Sequence, residues 1–146
     1  MSVNITKEHY MNTYQSILNL VGRLLIVALF LPAGLGKIAG FEGTLGYFAS
    51  LGIPAPVFAL VATIVIEVLG SIALIVGFQT RIVAVIMAIF TLIAAATGHA
   101  FWGAPADAVF IAQLLFFKNI AVMGGLLVLA STGAGRFSID GRKAAK

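Results

Sequence analysis

Residues 57–78, VFALVATIVIEVLGSIALIVGF, decide the fold of this chain. The stretch contains one charged residue, Glu67, close to its middle. An apolar run of about 20 residues is long enough to cross a bilayer as a helix. A charged side chain at the centre of a membrane costs about 3 kcal/mol on insertion scales. The stretch therefore predicts a transmembrane helix whose Glu67 needs a partner inside the protein.

The composition extends this prediction to the whole chain. Of its 146 residues 61% are hydrophobic and 10% are charged, and the mean hydropathy is +1.10. A soluble domain of this size would need more charged surface, so we expect an all-α membrane protein in contact with the lipid bilayer. The net charge of +4 comes from few, scattered basic residues, which argues against nucleic acid as a partner. The absence of cysteine excludes disulfides, iron–sulfur clusters and thiolate metal sites, and no zinc triad is visible.

Four apolar runs predict a four-transmembrane-helix bundle within residues 17–131. The spans cover about residues 17–36, 57–78, 82–98 and 108–130, and residues 44–51 predict a short interfacial helix. In the tight turn between the second and third spans, Gly77 is expected as a C-cap and Thr80 as the next N-cap.

Basic residues predict the orientation of the bundle. Residues 1–16, the turn at Arg81 and the basic tail 132–146 lie on one side and hold most of the lysines and arginines, including Lys7. The opposite side holds Lys37 alone. The positive-inside rule then places both termini in the cytoplasm, with the protein in a bacterial inner (plasma) membrane.

The charged residues of the spans predict a buried polar seam. At 1.5 Å per residue, Glu67 and Lys118 both lie about 15 Å from the outer ends of their spans. We therefore expect them to form a buried ion pair, with Asn119 completing its hydrogen bonds. Arg23 is expected either to reach Glu67 or to extend to the headgroups. Such a seam either fixes helix packing or handles a ligand or protons, and the residues alone leave both open.

Helical spacing predicts which faces point into the bundle. Three stripes combine a charge with small residues at steps of three or four positions, a pattern that allows close helix packing. They are Arg23, Val27, Phe30, Gly34 and Lys37; Thr63, Glu67, Gly70, Leu74 and Gly77; and Leu114, Lys118, Ala121 and Gly125.

A second candidate site lies at the outer end of the third and fourth spans. His99 and Gln113 fall at comparable depth, and together with Trp102 they predict a site for a quinone head or for a proton. The alternative is an interfacial histidine that is hydrogen-bonded within its loop. One histidine near the spans cannot supply two axial haem ligands.

Several short motifs follow one another along the chain in a characteristic order. They are Gly22-Arg23, residues 34–37 (GLGK) with 41–44 (FEGT), 49–54 (ASLGIP), Glu67, 77–81 (GFQTR), 99–102 (HAFW), Lys118-Asn119 and 132–140 (TGAGRFSID). Together they make the chain similar, over nearly its whole length, to the DoxX family of small bacterial inner-membrane proteins. The resemblance implies a four-helix membrane protein. It also implies an association with membrane redox systems, such as a thiosulfate:quinone oxidoreductase subunit or a membrane partner of oxidative-stress proteins. It transfers no catalytic residues.

These observations lead to three hypotheses of function. The first is an accessory subunit of a quinone-linked redox system that holds a quinone, or docks a soluble or membrane redox protein, at the polar seam. The second is a structural or assembly subunit without a ligand. The third is a proton-coupled transporter of a small solute, which would act as a homo-oligomer.

Overall fold

The chain folds into helices joined by short connections. The computed structural model describes the backbone of residues 2–144 and the side chains of residues 13–143. Its helices are α1 (Ser2–Ala39), α2 (Phe41–Ser50), α3 (Pro56–Val76), α4 (Thr80–Gly98), α5 (Val109–Thr132) and α6 (Ile139–Ala144), with a short 3-10 turn at Phe101–Gly103.

Four of these helices are long and apolar enough to cross a membrane. The candidate spans are Thr13–Ala39, Pro56–Val76, Thr80–Gly103 and Val109–Thr132. They confirm the predicted four-span, all-α membrane protein, and α2 confirms the predicted short helix. The helix α1 begins at Ser2, well before the expected start of the first span. The side chain of Lys7 lies outside the residues whose side chains are described.

The spans form two closely packed pairs. The helix α1 packs on α3, and α5 packs on α4, while α3 and α4 join the two pairs. Glycines permit the close approaches, because a Cβ on Gly34 would lie 2.8 Å from Val68 Cγ2, and one on Gly70 would lie 2.8 Å from Met87 Sδ. The helices α1 and α5 contact each other much less, which leaves a groove between them.

The apolar core lies where the two pairs meet. Its buried members are Val27, Phe30, Leu74, Ala84, Met87, Ala88, Leu126 and Leu129. The predicted inward stripes of α1 and α3 are confirmed, since their members are buried or half-buried.

The predicted stripe on α5 is wrong. Leu114, Lys118, Ala121 and Gly125 are all exposed, and the buried residues of α5 are Asn119, Leu126 and Leu129. The reason is that α5 packs mainly on α4, and its buried face contains Asn119, Leu126 and Leu129, so the line that includes Lys118 lies outside the core.

The two ends of the bundle differ in what closes them. We call the end with the α3–α4 turn and residues 133–144 the tail end, and the end with α2 and residues 99–108 the loop end. The cytoplasmic location of the tail end stays a prediction.

Candidate functional site

Glu67 forms an ion pair with Lys37. The Lys37 Nζ lies 2.9 Å from both carboxylate oxygens, and the two side chains are 7% (Glu67) and 23% (Lys37) exposed. Gly34, one turn before Lys37, permits this approach, because a Cβ there would lie 3.0 Å from Glu67 Cβ. Two charge-assisted hydrogen bonds thus satisfy a carboxylate inside the bundle.

This pair corrects the predicted partner of Glu67, which was Lys118. Among the described side chains, Lys118 has no carboxylate within 4.0 Å. The cause is the helix order, since α1 lies against α3 whereas α5 lies against α4. The inward stripe of α1 already contained Lys37, so the signal was present, but Lys37 lies near the end of its span and the estimate of depth matched Glu67 with Lys118 instead.

A cavity of about 880 Å³ opens beside this ion pair. Residues of α1, α3, α4 and α5 line it, and residues 47–54 close it at the loop end. Most of the lining is apolar. The polar side chains of the lining include Lys37, Thr63, Glu67, Thr91, His99, Lys118 and Asn119. We call this space the loop-end cavity.

Two neighbouring residues of α5 bring further hydrogen-bond donors to the loop-end cavity. Asn119 is buried with 8% of its surface exposed, and Lys118, one position earlier, is more open. His99, at the end of α4, lines the same cavity. The structure therefore brings together four of the predicted site residues, Glu67, Lys118, Asn119 and His99, although not through the predicted ion pair.

The structure does not assemble His99, Gln113 and Trp102 into one site. Gln113 is exposed on α5 and does not line the loop-end cavity. Trp102 is 65% exposed, and its ring packs edge-to-face against Phe101 and Phe116 at centroid distances of 5.2 and 5.6 Å. Only His99 of this group reaches the cavity. Within residues 13–143, no group of three or more histidine, aspartate or glutamate side chains is placed to hold a metal ion.

Arg23 lies at the tail end, where it caps a helix. Its side chain is fully buried, and it donates hydrogen bonds to Leu74 O at 2.9 Å and to Phe137 O at 2.6 Å. The last carbonyls of a helix have no partner within the helix and favour a positive charge. Arg23 provides the last carbonyls of α3 with both a hydrogen-bond donor and a positive charge. The expectation that Arg23 reaches Glu67 is therefore wrong, since Lys37, the partner of Glu67, lies about 21 Å further along α1. The expectation that it extends to the headgroups is also wrong, because the side chain is fully buried.

The segment after α5 caps the turn between α3 and α4. The Asp140 carboxylate accepts hydrogen bonds from the backbone N–H of Gln79 and of Thr80 at 2.9 and 2.8 Å. Asp140 thus takes the capping role predicted for Thr80, because Gln79 and not Thr80 is the N-cap position. Desolvation raises the pKa of Asp140, but the N–H groups of Thr80 and Gln79 lower it more, so the pKa lies below its ordinary value.

Arg81 caps the C-terminal end of α5. Its guanidinium donates to Ser131 O at 2.6 Å and to Ala130 O at 3.2 Å, in the last turn of that helix. Three charged residues of the tail end, Arg23, Arg81 and Asp140, thus cap helix ends. No sequence pattern within a single helix could have shown this, because each cap comes from a different element.

Comparisons with known proteins agree with this architecture. The DoxX family model matches residues 18–100, which run from the middle of α1 to just past the end of α4. Two inner membrane proteins of Escherichia coli (strain K12) are similar. YphA is 40% identical over 86% of this chain and 90% of its own length, and YqjF is 40% identical over 83% and 88%.

A third relative is CatD of Bacillus subtilis (strain 168), whose name includes the word oxidoreductase. It is 38% identical over 58% of this chain and 61% of its own length. No solved structure matches the chain. The family match, the two similar inner membrane proteins and the four apolar helices lead to one conclusion: the chain is a multi-pass inner-membrane protein that belongs to the DoxX family.

Proposed function

We propose that this protein is an accessory subunit of a membrane redox system and that it holds a quinone in the loop-end cavity. The observation that carries the proposal is the cavity itself, which combines apolar walls with Glu67, Lys118, Asn119 and His99, all of them within the candidate membrane spans. Small-molecule sites have this character, with volumes of about 300–1,000 Å³ and a few convergent polar groups. The CatD relative, named as an oxidoreductase, supports a redox role.

The donors and acceptors of the cavity fit a quinone head. Its two carbonyl oxygens need hydrogen-bond donors, which the Asn119 amide and the Lys118 ammonium supply. Glu67 can accept a hydrogen bond from a hydroxyl, the group that replaces each carbonyl in the reduced form. Leu51 and Ile93 line the cavity and are 38% and 57% exposed, so an isoprenoid tail has a side exit toward lipid.

A bound quinone would supply two-electron, two-proton redox chemistry, and a partner protein would supply the electrons. This chain's own contribution is to orient the head with Asn119 and Lys118 and to keep the Lys37–Glu67 pair beside it. Because Lys37 donates hydrogen bonds to Glu67, Glu67 can hold a proton near the head and remain hydrogen-bonded to Lys37.

The structure favours ligand binding over solute transport. Between the loop-end cavity and the tail end lie Leu74, Met87 and Leu126, and each of them is fully buried. This apolar layer separates the cavity from the tail end. A carrier would have to open it, whereas a quinone site needs access only from the bilayer.

The direct test is binding of a short-tail ubiquinone analogue to the purified protein in mild detergent. We expect saturable binding by isothermal titration calorimetry, and Asn119→Leu should weaken it about tenfold, because one hydrogen bond to the head is lost. Gln113→Leu is the matched control, since it makes a similar change on the same helix outside the cavity. Absence of saturable binding, or equal weakening by both variants, contradicts a quinone site.

The accessory role has its own test. Affinity purification in the same detergent, followed by mass spectrometry, should recover a redox protein together with quinone. Recovery of quinone alone would support the site and contradict the partner.

A further inference from the structure

A second cavity lies at the tail end, in the groove between α1 and α5. Its volume is about 1,100 Å³. Leu18, Leu25 and Ile26 form one apolar wall, and Val128 and Leu129 form the other. Leu18, Leu25 and Val128 are 52%, 68% and 63% exposed, so the groove is open to the bilayer along its length.

The tail end of this groove is positively charged. Arg23, Arg81 and Arg136 line it, together with one carboxylate, Asp140. The oxygens of Asp140 already accept the N–H groups at the start of α4. With three guanidinium groups and one carboxylate, the lining has a net charge of +2 beside an apolar channel.

Several donors in this region have no acceptor within the part of the chain that the structure describes. The side chain of Arg23 is fully buried, and its Nε–H has no partner there. Arg136 is exposed, and its guanidinium makes one long hydrogen bond, 3.5 Å to Thr13 Oγ1. A guanidinium carries five N–H donors in a planar fork that matches a phosphate.

We propose that this groove binds an anionic phospholipid, with its phosphate hydrogen-bonded to Arg136 near the positive charges of Arg23 and Arg81, and with an acyl chain between α1 and α5. The candidate span of α5 ends at Thr132, so Arg136 lies just beyond it, at the expected level of the headgroups. The channel runs from there toward the bilayer centre, and it reaches Gly125, which lines the groove about 10 Å from Thr132 along the axis of α5. A zwitterionic lipid brings its own ammonium and gains less from the two positive charges. The groove is separate from the loop-end cavity, so this proposal does not depend on quinone binding.

The test compares lipids with the same acyl chains by native mass spectrometry of the detergent-purified protein. Phosphatidylglycerol should bind several-fold more tightly than phosphatidylethanolamine. Arg136→Gln should weaken phosphatidylglycerol binding about fivefold, because one basic residue near a membrane surface contributes about that factor. Arg142→Gln is the matched control, since it removes the same charge from α6 outside the groove.

Two further measurements separate the acyl chain from the phosphate. Gly125→Leu should weaken phosphatidylglycerol binding while the fold is kept, because a Cβ at Gly125 has no atom within 4 Å and leucine favours a helix. Glycerol 3-phosphate, which carries a phosphate but no acyl chain, should not displace phosphatidylglycerol at the same concentration. Equal affinity for the two lipids, equal effects of Arg136→Gln and Arg142→Gln, no effect of Gly125→Leu, or competition by glycerol 3-phosphate would each overturn the proposal.

Discussion

Lys37→Met should destabilise the protein more than Glu67→Gln, although the two changes break the same ion pair. Removing one partner of a buried pair costs about 3–5 kcal/mol, because the other charge stays buried alone. Without Lys37, Glu67 is a carboxylate whose side chain is only 7% exposed. We expect a loss of about 3 kcal/mol or more in the free energy of unfolding. Without the carboxylate, Lys37 is 23% exposed near the end of its span, so the expected loss is about 1–2 kcal/mol.

The double variant measures the interaction directly. Lys37→Met with Glu67→Gln removes both charges, so its loss should be smaller than the sum of the two single losses by about 1–3 kcal/mol. Reversible unfolding in mixed micelles, with increasing sodium dodecyl sulfate and helical circular dichroism as the signal, gives all three free energies.

Lys118→Met provides the matched control. It makes the same chemical change beside the same cavity, but Lys118 is not within ion-pair distance of a described carboxylate. Its effect should add to that of Glu67→Gln within about 0.5 kcal/mol. A coupling of Glu67 with Lys118 as large as that with Lys37, or additive effects for Lys37, would refute the pairing.

Two further predictions concern the tail end. The pKa of Asp140 is below its ordinary value of 3.8, so its charge stabilises the docked segment above that pH, and the stabilisation is lost as the pH falls through the lower folded value. The protection of the amides at the start of α4 against hydrogen exchange, relative to the intrinsic rate at each pH, should fall over that range, and Asp140→Asn should show the lower protection already at neutral pH. Identical protection in both proteins would contradict the cap. Gly77→Ala should lower the stability by about 2 kcal/mol or more, because Gly77 has φ +67° and a Cβ there would overlap Ser138. Gly124→Ala, where a Cβ meets nothing within 4 Å, should be neutral or stabilising. Thermal melts of the two variants measure both effects, and equal losses of stability would count against the reasoning.

The candidate site shows how far residue patterns reach. Depth along a helix placed Glu67, Lys118 and Asn119 at one level of the membrane and His99 in a separate site at the outer end of the spans, because the rise per residue is constant. Depth does not give the angular position of a helix or its neighbours. The pairing of Glu67 therefore depended on which helix packs against α3, and Gln113 and Trp102 fell outside the cavity for the same reason.

Some features of this protein follow from its amino-acid sequence alone, and others follow only from its tertiary structure. The amino-acid sequence alone determined the class of fold, the four spans and the inward faces of α1 and α3, because apolar length and helical periodicity are local properties of the chain. It also carried the motifs of the DoxX family. Only the tertiary structure decided that Lys37 neutralises Glu67, that Arg23, Arg81 and Asp140 cap helix ends, and that α1 and α5 diverge to form a groove. These features depend on contacts between residues far apart in the chain, and an ion pair or a cap exists only where packing brings its two partners within hydrogen-bond distance.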